Sequence, residues 1–319
     1  MELNYAIKIA EQYLGEELFA SLNIKYNQTE QNDYLKVSRK GNDVVITYSR
    51  LSSLFRGLTY IKENIETKEY EKEFNIRFKT DGLMLDLSRN GVMKVENVKE
   101  LILVQALMGQ NRLLLYTEDT YEMEKYPYWG YLRGAYSKEE IKEMVNYGKD
   151  FGVELIPCIQ TLGHLANGLK WGPMQKYKDT DDVLLTDNEE VYELIEDMIK
   201  TSRECFYSED IHIGMDEAFT QGLGRYMKEH GFTNRVELFC RHLARVIKIC
   251  NKYNFKPMIW SDMFFRLNDK NNEYYSCEPL PEETIKIIPE QVKLVYWDYY
   301  HNEEEIYDKM IINHRQTKN

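Results

Sequence analysis

Apolar residues recur along this chain with two periods, and where each period holds divides the sequence into two regions. Ile7, Ala10, Leu14 and Leu18 share the spacing of one helical face. Tyr34–Ser38 and Val44–Tyr48 alternate as two strands, with Lys40-Gly41-Asn42-Asp43 as the hairpin turn between them. Leu51, Leu54, Leu58 and Ile61 mark a second helix. The charged stretch Glu66–Glu73 reads as a solvated linker. Residues 1–75 thus form a small α/β domain in which no chemistry is apparent.

From about residue 80, strand and helix patterns alternate. Leu83–Leu87 is a strand, and Val98, Leu101, Ile102 and Met108 lie on a helix that ends near Gly109. Arg112–Tyr116 is the next strand. Ser137 and Glu140 form a capping box for a helix carrying Ile141, Met144 and Val145. Val153–Ile159 follows as a strand, and Thr186–Glu189 caps a helix with Val191, Leu194, Ile195 and Met198 on one face. A strand ends at Gly214, and a long helix carries Val236, Phe239, Leu243, Val246 and Cys250. Lys256–Trp260 and Val292–Trp297 are the last two strands.

Such alternation implies parallel strands joined by crossover helices. No glycine-rich phosphate loop follows a strand, which counts against a nucleotide-binding fold. The repetition favours a (β/α)8 TIM-type barrel over residues 76–319. About six strands are visible where closure needs eight. The expectation is therefore a barrel truncated after six strands, with the missing C-terminal part of the chain as a partner.

Composition narrows the partners. The formal charge is −12 with no basic run, so nucleic acid and anionic membrane are excluded. The five cysteines include no pair at metal-site spacing, and free thiols fit a reducing compartment. The N-terminal residues lack the pattern of a signal peptide, so the cytoplasm is expected.

One stretch stands out for chemistry: Asp210-Ile-His-Ile-Gly-Met-Asp216-Glu217-Ala218. Ile211 and Ile213 give it a period of two, and Gly214 permits a tight turn. Two adjacent carboxylates then sit where a parallel strand meets its following loop, the edge at which α/β folds do chemistry. Neighbouring carboxylates resist joint ionisation, so one can act as an acid while the other stays charged. Taken alone, the pair reads more readily as charge at a helix N-terminus, where anions are favoured.

The string His212-x-Gly214-x-Asp216-Glu217 resembles the signature of family 20 glycoside hydrolases, the β-N-acetylhexosaminidases. Gly82, Asp86 and Arg89 match that family's Arg-Gly-x-x-x-Asp-x-x-Arg, with Asp81 standing where the family's first arginine grips sugar hydroxyls. Gly163 and His164 match its Pro-Gly-His, while Cys158 and Gln160 replace acids. Asp119 matches its His-x-x-Asp and Tyr116 does not. The Cys158–His164 segment and Asp81 are more similar to the bacterial exo-β-N-acetylglucosaminidase branch.

The resemblance implies catalytic roles for Asp216, Glu217, His164 and Asp86, with Asp86, His164 and Glu217 as a hydrogen-bonded relay. It implies substrate contacts from Asp81, Arg89, Asp119, Trp260 and Trp297, and places Tyr299 and Tyr300 near the position of an acetamido-binding tyrosine. The implied reaction removes terminal β-linked N-acetylglucosamine or N-acetylgalactosamine. The substrate's own acetamido oxygen is the nucleophile, with no metal and no cofactor. Asp216 polarises the acetamido group, and Glu217, its pKa raised by its neighbour, is the acid/base. Alternatives are an amino-sugar-binding fragment without turnover and a barrel glycosidase with two protein carboxylates. Open sheet edges also fit a homodimer.

Overall fold

The computed structural model describes residues 3–318. They divide into two compact units. Among the described residues the first comprises 3–85, 93–115 and 139–156, and the second 86–92, 116–138 and 157–318. The first unit therefore takes in the opening helices of the alternating region as well as the N-terminal domain.

The N-terminal sheet contains β1 (Asn23–Gln28), β2 (Tyr34–Lys40), β3 (Asp43–Tyr48) and β4 (Glu69–Asn75), in the order β1-β3-β2-β4. β2 pairs antiparallel with β3 through the expected turn. Leu35, Val37, Val44 and Ile46 line its buried face. The helix Leu3–Leu14 buries Ile7, Ala10 and Leu14, and Leu51–Glu63 buries Leu54, Leu58 and Ile61, while Leu51 at its first position is half-buried. Leu18 falls instead on a separate turn of helix, Glu16–Phe19.

Two elements here lie outside the apolar periodicity. The stretch read as a linker is β4, antiparallel to β2 from Tyr34↔Asn75 to Lys40↔Glu69. Tyr70 and Phe74 lie on one face of it and meet the ring of Tyr60 edge-on at 5.5 and 5.2 Å. Its other side chains are charged because it is an edge strand, where charge blocks further pairing. β1, parallel to β3, is an edge of the same kind.

The second sheet has six strands: β5 (Gly82–Asp86), β6 (Arg112–Tyr116), β7 (Glu154–Cys158), β8 (Asp210–His212), β9 (Lys256–Trp260) and β10 (Lys293–Val295). They lie side by side in sequence order. The pairs β7–β8, β8–β9 and β9–β10 run parallel. This is the strand order of a (β/α)8 barrel over six strands. The helices Glu189–Cys205 and Arg235–Lys252 bury Val191, Leu194, Ile195, Met198, Leu243, Val246 and Cys250 as their periodicity requires. The first is capped by Asn188, whose side chain accepts from Val191 N, rather than by Thr186. No helix of the described residues is long and apolar enough to cross a membrane.

Candidate active site at the strand ends

The C-terminal ends of the strands are tied together by hydrogen bonds between successive backbones. Leu87 N donates to Tyr116 O, Thr117 N to Cys158 O, Ile159 N to His212 O and Ile213 N to Met258 O, all at 2.8–3.0 Å. Residues one to five positions beyond each strand are thereby gathered on one edge, within the second unit.

β8 stops at His212 because the chain turns through left-handed backbone. Gly214, Met215 and Glu217 have φ of 68°, 69° and 51°. A Cβ at Gly214 would meet Gln160 Oε1 at 2.1 Å, and one at Gly163 would meet Asp216 O at 2.9 Å, so both positions require glycine. Left-handed Met and Glu are strained conformations, held by their surroundings. Gln160 supplies part of that hold: its Oε1 accepts Met215 N at 3.1 Å, and its Nε2 donates to Asp216 Oδ1 at 2.8 Å and to Tyr116 Oη at 3.2 Å.

His164, itself at φ 56°, places Nε2 3.0 Å from Asp216 Oδ2 and 3.3 Å from Glu217 Oε2. It lies within ion-pair reach of both. Burial pushes the imidazole down, but hydrogen bonding and charge from the two carboxylates outweigh it and raise its pKa to about 10. His164 is therefore a cation at neutral pH. Burial pushes Asp216 up, and His164 and Gln160 more than reverse this, leaving it below its ordinary value.

Glu217 departs from expectation. Its pKa is lowered, not raised: the hydrogen bond from His164 leads, and one from Tyr274, whose hydroxyl donates to Oε1, adds to it. These outweigh burial and the repulsion of Asp216. The raised group is Asp262, in the first turn of the short helix Asp262–Arg266 after β9. Burial and the charge of Asp216 push it up to about 7. Its Oδ2 accepts Glu217 N at 3.1 Å.

The relay expected from Asp86 through His164 is arranged differently. Asp86 Oδ2 accepts Arg89 Nε at 2.7 Å, and its Oδ1 accepts the amides of Ser88 and Arg89 at 2.9 and 3.0 Å. Burial raises Asp86, and these donors lower it further than burial raises it. Arg89 lies 4.8 Å over the ring of Tyr116 and remains 54% exposed. The carboxylates at His164 Nε2 are Asp216 and Glu217.

Glu118 is buried and accepts Ser88 Oγ at 3.1 Å and Tyr116 Oη at 3.2 Å. Burial raises its pKa, and the charge of His164 partly offsets that. Asp119 is buried against Arg133 at 3.2 Å, a structural ion pair. Asp81 is not brought to the site. It precedes the first residue of β5, whereas Asp86 is the last, and five residues of strand span about 16 Å. Its backbone is occupied at that far end with Asn111 and Arg112.

Trp260 packs 4.3 Å from His212, and Trp297 lies 5.1 Å from Tyr274 and 5.5 Å from Tyr299. Tyr299 and Tyr300 are 80% and 73% exposed. Both tryptophans are half-buried. Ligand atoms of His164, Asp216 and Glu217 lie within 4.8 Å of one another, a spacing a metal ion could use.

Sequence reasoning missed Glu118, Gln160, Asp262, Tyr274 and Arg133 as participants. The first three carry a usable signal, lying one to three residues past a strand end. Tyr274 and Arg133 lie in long irregular loops and carry none.

Residues 78–312 match the family model described as "Glycosyl hydrolase family 20, catalytic domain". The chain is 29% identical over 223 residues to hexosaminidase D of Homo sapiens and 28% over 222 residues to that of Bos taurus. Each match covers 65% of the chain, which spans 42% and 59% of those relatives. Among solved structures, it is similar to the GH20 β-N-acetylhexosaminidase of Streptomyces coelicolor A3(2). The TM-score is 0.71 at 18% identity, covering 97% of this chain and 67% of that one. It is also similar to the exo-β-N-acetylglucosaminidase of Vibrio harveyi in complex with N-acetylglucosamine. There the TM-score is 0.70 at 17% identity, covering 98% and 55%. These structural likenesses establish the fold.

Proposed function

The chain belongs to glycosyl hydrolase family 20, and from that premise we propose that it removes terminal β-linked N-acetylhexosamine by substrate-assisted hydrolysis. The observation that carries the reading is the Asp216–Glu217 turn, with both carboxylates within 3.3 Å of the same imidazole. Asp216, low in pKa, accepts the acetamido N–H and faces the positive charge that develops on the acetamido carbon. The acetamido oxygen attacks C1, the C1–aglycone bond breaks, and Glu217 gives its proton to the departing oxygen. Water then adds to C1 while the bond from C1 to the acetamido oxygen breaks and restores the acetamide, and Glu217 takes a proton from that water.

Glu217 begins on the ionised side near neutral pH, because His164 and Tyr274 stabilise its anion. The protonated fraction grows as pH falls, so kcat/KM rises toward acid pH. The walls from Trp260, Trp297 and Tyr274 suit the apolar face of a sugar ring. The finer placement, among exo-acting β-N-acetylglucosaminidases, rests on the Cys158–His164 segment. The test sets a nitrophenyl β-N-acetylglucosaminide beside the matching β-glucoside, with a thiazoline analogue of the oxazoline as inhibitor. Cleavage of the first substrate alone, blocked by the thiazoline, supports the reading. Equal cleavage of both would require a protein nucleophile instead.

A further inference from the structure

Three carboxyl groups converge on the Glu217 turn, and the proposed reaction uses two. The third, Asp262, is fully buried. Its Oδ2 accepts the backbone N–H of Glu217, and its Oδ1 has no hydrogen-bond partner among the described residues. Glu217 is in a left-handed conformation that glutamate rarely adopts. The backbone at this turn is held from two sides: Gln160 grips Met215 N, and Asp262 grips Glu217 N.

We propose that Asp262 is the positioning residue of the acid/base: it holds the turn that aims Glu217, and it does so as the neutral acid. This inference rests on the reading of Glu217 given above. The geometry argues for the neutral form. An ionised Asp262 would bury an anion with one oxygen unpaired, next to two further carboxylates, a double cost. The groups facing it are Asp216 and Glu217 from the β8 turn, Trp297 beyond β10, and Tyr274 and Tyr275 from the loop after its own helix. None of them is a cation, and the N–H groups that favour the anion, the indole of Trp297 and the amide of Glu217, offset burial and the neighbouring carboxylates only in part. The neighbouring Ser261 hydroxyl is tied to Tyr275 Oη at 3.1 Å and His314 Nε2 at 2.8 Å. The base of Asp262's own turn is therefore fixed. Its elevation to about 7 is what this environment produces.

Ionisation of Asp262 would then loosen the turn as pH rises through neutrality. Asp262→Asn keeps an acceptor oxygen for Glu217 N and cannot ionise. Asp262→Ala removes the acceptor. The experiment measures kcat and KM for a nitrophenyl β-N-acetylglucosaminide from pH 4.5 to 8.5 with the parent and both variants. Thermal melting is followed over the same range. The ratio of kcat/KM for Asp262→Asn to that of the parent is expected to rise about tenfold between pH 6 and 8. Asp262→Ala is expected to lose kcat about tenfold or more at every pH, with KM changed less than threefold.

Melting tests the proton without turnover. A carboxyl raised from its ordinary 3.8 stabilises the fold below that value and loses the contribution as pH rises through about 7. The melting temperature of Asp262→Asn minus that of the parent should therefore increase from pH 5 to 8. A flat difference would overturn the neutral-acid claim even if no substrate were turned over. A pH-independent kcat/KM ratio for Asp262→Asn, or an unchanged kcat for Asp262→Ala, would overturn the positioning claim. No turnover by the parent, with the melting difference as expected, would point instead at the hydrolase reading.

Discussion

The N-terminal sheet and the C-terminal strand ends of β5–β10 are built to opposite rules. In the sheet, apolar residues alternate inward, and the hairpin turn falls where the sequence marks it. Among the described residues of the first unit, Asp33 is the one non-glycine with positive φ, and Asp tolerates that conformation in a turn. At the strand ends, positive φ falls on His164, Met215 and Glu217. Three carboxylates and an imidazole share a space that like charges would vacate. The sheet follows the rules of burial and pairing throughout. The strand ends hold a high-energy arrangement in place, and the difference marks where function is concentrated.

That contrast can be broken experimentally. The largest effect is expected at the site: Asp216→Asn should lower kcat about 10²–10³-fold, as loss of one preorganised charge-stabilising group does. Melting should show the variant folded but less stable than the parent near neutral pH, because the favourable pairing of the Asp216 carboxylate with His164 and Gln160 is lost. Ile46→Ala, in the fully buried face of the sheet, should lose stability without losing activity. It should cost about 2–5 kcal/mol in denaturant unfolding and leave kcat of the folded protein within twofold. If Ile46→Ala changed kcat tenfold, the separation between the two regions would fail.

His164→Gln sharpens the electrostatic half. A histidine raised from 6.5 to about 10 contributes stability that is full below 6.5 and lost as pH rises through about 10. Relative to His164→Gln, the parent's melting temperature should therefore fall across pH 6.5–10, and a parallel pair of curves would refute the imidazolium. The smallest effect is expected from Asp81→Asn, at the far end of β5. KM should change less than twofold, and a tenfold rise would return Asp81 to the sugar.

The order of strands and helices was legible because buried faces impose periods of 2 and 3.6 that charge does not obscure. β4 was not, because an edge strand with glutamates at Glu69, Glu71 and Glu73 carries the composition of a linker. Asp216, Glu217 and His164 were legible through their motif and their place after strands. The direction of Glu217's pKa was not, because it depends on which partner lies closer, and His164 and Tyr274 come from distant segments. Asp81 was misplaced for a related reason. A matching string gives the order of residues along a strand, while the strand's direction decides which end holds the chemistry.

The most direct test is turnover of a nitrophenyl β-N-acetylglucosaminide by the parent and by Glu217→Gln, with melting as a check on folding. The acid/base assignment predicts hydrolysis by the parent and a loss of at least about 10³-fold in the folded variant. A variant that turns over at the parent's rate would contradict the role given to Glu217 and leave the Asp216–Glu217 pair as ordinary charges at a strand end.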